Sequence, residues 1–144
     1  MINSDTINLL KECNSGIKMG VATIDEVLER VDDENFKSRL ALCKDAHEKL
    51  GNETRELLNS YGYSGKEPSP MAKSMSWVKT NIKTAIEPGD STIANLVTDG
   101  CDMGVKSLSR YLNQYPTADI GVKDIAKRLI GLEEDLAYDI RVYL

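Results

Sequence analysis

The sequence predicts an all-helical domain, an antiparallel four-helix bundle made of two related hairpins joined by a long crossover. Three observations lead there: apolar residues recur at three-four spacing in four long stretches, prolines and glycines concentrate between the second and third of these, and the two halves share residues at matched positions.

The first stripe reads Ile7, Leu10, Ile17, Val21, Ile24, Leu28 and Val31, with Asn3 or Ser4 available to cap its start. Asp32, Asp33 and Glu34 end it and place carboxylates where the positive end of a second helix favours them, which predicts a tight turn. The second stripe, Phe36, Leu40, Cys43, His47, Leu50, Leu57 and Tyr61, stops at Gly62, a residue suited to a left-handed cap. Gly65, Pro68, Pro70, Pro88 and Gly89 then forbid one continuous helix. Inside that connection, Ser69 and Pro70 signal the start of a short helix through Met71, Met75, Val78, Ile82 and Ala85 that also bears Trp77. Asp90 or Ser91 can cap the third long helix, with Ile93, Val97, Cys101, Val105, Leu108 and Leu112 on its apolar face. Pro116 closes it, Thr117 opens the last, and Val122, Ile125, Leu129, Leu132, Leu136 and Tyr143 form the fourth stripe. Each main helix is about 25 residues, or about 40 Å at 1.5 Å per residue.

With 144 residues, 41% hydrophobic and 28% charged, the chain matches one globular domain, residues 1–144, and is too apolar for a disordered segment. A net charge of −5 without any Lys/Arg cluster argues against nucleic-acid binding, since phosphates demand a dense basic surface. No apolar run reaches the ~20 residues of a membrane span, and the N-terminal residues lack a signal-peptide pattern. Cys13, Cys43 and Cys101 are odd in number and widely spaced, so a reduced cytoplasmic setting is expected and neither a disulfide framework nor a zinc knuckle is indicated. All three lie on or beside apolar stripes and read as small buried hydrophobes.

The repeat is the most informative feature. Gly16, Met19, Gly20 and Val21 match Gly100, Met103, Gly104 and Val105, while HEKLGNETRELL from His47 aligns with EEDLAYDIRVYL from Glu133. Glycine inside a helix costs nearly 1 kcal/mol relative to alanine, so paired Gly-x-x-x-Gly units predict close helix contacts at Gly16, Gly20, Gly100 and Gly104. A hairpin, a long crossover and a second hairpin is also the connectivity of ferritin-like bundles.

The phrases NSGIKMGVATIDEVL, SMSWVKT, GCDMGVKSLSRYL and EEDLAYDIRVYL resemble a ferritin-like four-helix-bundle family of small cytosolic bacterial proteins of unassigned function. That resemblance spans nearly the whole chain and implies a fold without a reaction.

Ferritin-like dinuclear centres need a Glu from each of two helices and a Glu-x-x-His from each of the other two. The single histidine, His47, follows Lys44 at that spacing, Leu136 and Ala137 stand after Glu133 and Glu134, and Lys18 and Asp102 occupy the mid-helix positions. No metal or other cofactor is therefore expected. The stripes instead direct Asn14, His47, Asp102 and Glu133 towards the bundle centre, with His47 and Glu133 at equivalent places in the repeat. Three readings are open for His47 and Glu133: a buried pair that fixes register, a non-standard metal site completed by Asp102, or surface exposure.

Met71, Met75 and Trp77 offer either a docking surface or a cover for the bundle, and the six tyrosines fall near helix ends, where the ring can be buried and the hydroxyl wet. Glu26 with Arg30 and Asp45 with Lys49 read as solvated helix faces. With no phosphate loop or nucleophile motif, the sequence points to a non-enzymatic bundle acting by protein interaction or self-association; a metal-binding or redox protein with a carboxylate/histidine site is the alternative.

Overall fold

The computed structural model describes residues 3–63 and 89–144. The described chain is all-helical: α1 runs Ser4–Leu28, α2 Glu34–Ser60, α3 Asp90–Gln114 and α4 Ile120–Asp139, and a 3-10 turn, Ile140–Tyr143, ends it. The expected short helix from Met71 to Ala85, with Met71, Met75 and Trp77, lies outside the described residues.

Local chemistry sets the boundaries. Asn3 caps α1 by accepting from the Thr6 amide (2.9 Å), and Asp33 caps α2 by accepting from Phe36 (2.8 Å). Gly62 ends α2 at φ 79°, the left-handed geometry glycine adopts without strain. Two expected starts move. The α3 cap is Gly89, which frees the Asp90 carboxylate for another task, and α4 starts at Ile120 after Asp119 because Thr117 is engaged in the turn.

Those turn contacts establish the topology. At one end, the Asp119 amide donates to Thr6 Oγ1 (2.9 Å), and Asp5 accepts from the Thr117 amide (3.0 Å) and hydroxyl (2.6 Å). These bonds to Thr117 hold the Asp5 carboxyl below its ordinary range. At the other end, the amides of Asp32 and Asp33 donate to the two carboxylate oxygens of Asp90 (2.8 and 2.9 Å). The start of α1 thus meets the start of α4, while the start of α3 meets the α1–α2 turn. It follows that α2 and α3 run the same way and that Tyr63 and Gly89 lie at opposite ends of the bundle. Helix α1 packs on α2, α3 and α4, and α2 also packs on α4, whereas α2 and α3 do not approach each other.

The core has two apolar halves. Ile24, Val27, Phe36, Leu40, Cys43, Ile93, Val97, Cys101, Leu136 and Ile140 belong to one, and Leu9, Leu10, Cys13, Ile17, Leu50, Leu108, Ile125 and Leu129 to the other. The division falls at one level in every helix: Gly20 lies between Ile17 and Ile24, His47 between Cys43 and Leu50, Gly104 between Cys101 and Leu108, and Glu133 between Leu129 and Leu136. Phase differs slightly from expectation in α1, where Leu9, Cys13 and Val27 are fully buried while Ile7 and Val21 are half-buried. A helix touching three neighbours buries a wider arc than one stripe. Tyr143, stacked on Phe36 with ring centroids 4.4 Å apart, closes one end of the core.

Asp90→Ala removes both acceptors holding the α1–α2 turn and a favourable charge in the first turn of α3. It should cost about 1–2 kcal/mol, a Tm loss of roughly 4 °C by thermal melting.

Candidate functional site

The polar layer between the two apolar halves is the only place in the described residues where several titratable side chains meet in the interior. Its centre is His47, 1% exposed, on the inner face of α2. Cys43 lies one turn earlier on that face, so the His47 ring folds back over it: Nδ1 is 2.8 Å from the Cys43 carbonyl oxygen and 3.5 Å from its Sγ. Nε2 reaches across to Glu133 Oε1 on α4 at 2.8 Å. Cys101 of α3 is buried beside the same carboxylate, which is 13% exposed.

Protonation follows from these partners. A carbonyl oxygen only accepts, so Nδ1 carries a hydrogen whatever the charge of the ring. The remaining contact, Nε2 to Oε1, therefore holds one proton between imidazole and carboxylate. Burial alone would pull the imidazole pKa down, but its bonds to Cys43 and Glu133 and the carboxylate charge outweigh this and lift it to about 10. Two of the three thiols are held more firmly protonated than a free cysteine. Burial and then the Glu133 carboxylate push Cys101 strongly up, and burial pushes Cys13 up to about 12.

Helix α1 supplies space rather than a functional group. A methyl at Gly20 would fall 2.8 Å from both Cδ2 and Nε2 of His47, so the ring rests directly on the α1 backbone. Gly104 of α3 stands behind Glu133 in the same manner but less tightly, a methyl there meeting the carboxylate at 3.6 Å. Gly16 has only an ordinary contact with Leu129, 3.6 Å from where a methyl would lie. Gly100 corrects the expectation of four close contacts, because it is exposed with nothing within 4 Å of that position. Gly100 lies one turn along α3 from Gly104 and about 40° around it, an offset that carries it into solvent.

The expected polar set divides too. His47 and Glu133 meet. Asp102 does not join them: it is exposed on the outer side of α3, because Cys101 takes the inward position. Asn14 is buried, with its Oδ1 unpartnered and no bond to the pair. Sequence reasoning took Cys43 and Cys101 for plain hydrophobes and missed their part in the layer. The four-residue step from Cys43 to His47 was a visible signal; the approach of Cys101 to Glu133 depends on the register of α3 against α4.

What can the layer do chemically? Cys43, His47 and Glu133 occur in the order of a thiol nucleophile, a base and its orienting carboxylate. The Nδ1 hydrogen is committed to a carbonyl, however, so that nitrogen cannot take the thiol proton, and Cys43 is 2% exposed. Nor do the described residues contain a group of three or more His, Cys, Asp or Glu side chains arranged to hold a metal ion. Leu129, His47 and Glu133 occupy the space beside Gly16, Gly20 and Gly104 respectively. An open depression of about 480 Å³ lies instead on the outer seam of α2 and α4, walled by Lys49, Glu53, Arg128 and Asp135 over Ala46 and Gly131. Arg128 holds both Glu53 oxygens (2.7 and 2.9 Å) and Asp124 (2.8 Å), so that wall is already neutralised. Among the described residues no helix is long and apolar enough to cross a membrane.

Comparison with known proteins adds no relative: no family model, no curated protein and no solved structure matches the chain.

Two predictions follow from the layer. Gly20→Ala gains about 1 kcal/mol in helix propensity but must displace a ring held on two sides, giving a net loss of about 1–3 kcal/mol, whereas Gly100→Ala, in open space, should gain up to about 1 kcal/mol. Urea unfolding of both variants checks the contrast. In pH dependence, a folded pKa near 10 against about 6.5 unfolded means that the protonated imidazole stabilises the fold fully below about pH 6. That contribution, a few kcal/mol, is lost progressively as pH rises towards 10, and His47→Gln should flatten the decline in urea midpoints between pH 6 and 10.

Proposed function

We propose that this chain is a ferritin-like helical bundle, descended from a duplicated hairpin, that has no dinuclear centre and works through its surface, by binding another protein or a second copy. The observation that carries this reading is the self-contained centre. His47 bonds to the Cys43 carbonyl and to Glu133, and the glycines of α1 and α3 stand against the pair, whose side chains are 1% and 13% exposed. Support for the ferritin-like part comes from the direction of the helices, since parallel α2 and α3 joined over the bundle length is the connectivity of that class. Support for duplication comes from matched contacts: Thr6 with Asp119 and Asp90 with Asp33 stand at corresponding places in the two halves, as do Gly20 with His47 and Gly104 with Glu133.

A second reading, a metal-binding or redox protein with a non-standard carboxylate/histidine site, draws on the meeting of His47 and Glu133 at 2.8 Å. The exposed position of Asp102 takes away its third donor.

Metal analysis of protein purified without chelators separates the two. The expected result is iron and manganese well below one equivalent, unchanged in the double variant His47→Gln/Glu133→Gln. Near-stoichiometric metal that disappears in that variant would overturn the proposal.

A further inference from the structure

His47 and Glu133 occupy the same position in the two hairpins, 86 residues apart, and they touch each other. Two equivalent positions can meet only on the axis that relates the halves. The surroundings agree: each side chain is backed by the corresponding glycine of its own hairpin, Gly20 for His47 and Gly104 for Glu133. The end contacts exchange in the same way, with α1 bonded to the cap of α4 and α3 to the cap of α2. At its centre and ends the α1–α2 hairpin thus meets the other hairpin through corresponding positions, although α1 packs on α4 while α2 and α3 stay apart, and a second α1–α2 hairpin from another copy presents the same positions.

We propose that the His47–Glu133 pair selects the partner for this inner face, admitting an α3–α4 hairpin, from the same chain or another, and rejecting a second α1–α2 hairpin. Two α1–α2 hairpins together would place His47 against His47. Each Nδ1 hydrogen is committed to a Cys43 carbonyl, so the Nε2 atoms would meet either as two acceptors or around a proton whose charge has no buried counter-ion. Two α3–α4 hairpins would bring two carboxylates together, which cannot both stay ionised at that distance. Only the mixed pairing shares one proton between opposite partners, so one buried contact sets which hairpins associate. The inference concerns hairpin pairing and stands whether or not the outer surface binds a partner.

Reversal tests it with full-length chains. His47→Glu places two carboxylates on the axis and Glu133→His two imidazoles; each should lower the urea midpoint by about 2 M. The reversed chain, His47→Glu/Glu133→His, restores an opposite pair with each group backed by a glycine, and the Leu129 carbonyl stands one turn before position 133 as the Cys43 carbonyl stands before position 47. It should recover more than half of the lost midpoint. Co-refolding the two single variants should yield a 1:1 heterodimer in native mass spectrometry, absent from either alone, because opposite pairs then form only between chains. A reversed chain no more stable than the weaker single variant, or a co-refolded mixture that stays monomeric, overturns the proposal. A pair acting only as local packing gives both of those results.

Discussion

One proton held between Nε2 of His47 and Oε1 of Glu133 fixes the middle of this bundle. The contact sits where the two apolar halves of the core abut, and each helix contributes one residue to that level, two of them glycines. Apolar packing alone discriminates weakly between registers, since sliding a stripe by one turn replaces one aliphatic contact with another. The same slide here would strand a charge in the interior, at a cost of about 3–5 kcal/mol. The pair thus contributes less as net stability than as a penalty on every other alignment of α2 against α4.

Register at the centre and closure at the ends reinforce each other. The amides left open at the α1–α2 turn are taken up by Asp90, and that of Asp119 by Thr6 on the opposite hairpin, so each hairpin ties down the other. On the outer seam, Arg39 with Asp139 and Arg128 with Glu53 repeat the antiparallel alignment of α2 and α4 on either side of the central pair. These exposed bridges are worth at most about 1 kcal/mol each. Their alignment still matters, because three contacts along one seam all agree with a single register.

The helices, their order and most of the core were legible in the sequence because periodicity and punctuation act locally. The three-four stripes, the Gly62 cap and the Asp33 start depend on residues within a turn or two of one another. Of the site, the stripes direct His47 and Glu133 inward, and the structure brings the two together at 2.8 Å. Asp102 and Gly100 flank Cys101, the residue that the apolar stripe of α3 itself directs inward, and a step of one residue, about 100° around the helix, carries each of them into solvent. The parts played by Cys43 and Cys101 were hidden in the sequence. A thiol serves equally well as a hydrophobe or a weak donor, and only the fold shows that the Glu133 carboxylate lies beside Cys101.

The two glycine positions at the centre carry unequal constraints. At Gly104 a methyl would touch a carboxylate at ordinary distance; at Gly20 it would collide with an aromatic ring held by bonds at both nitrogens. An imidazole is broader than a carboxylate and is anchored back to its own helix through the Cys43 carbonyl, so it cannot retreat. Once one half carries histidine and the other glutamate, the glycine facing the histidine becomes obligatory and its counterpart only favourable. A symmetric pair of hairpins would hold both glycines to the same standard, and the asymmetry at the axis is what relaxes one of them.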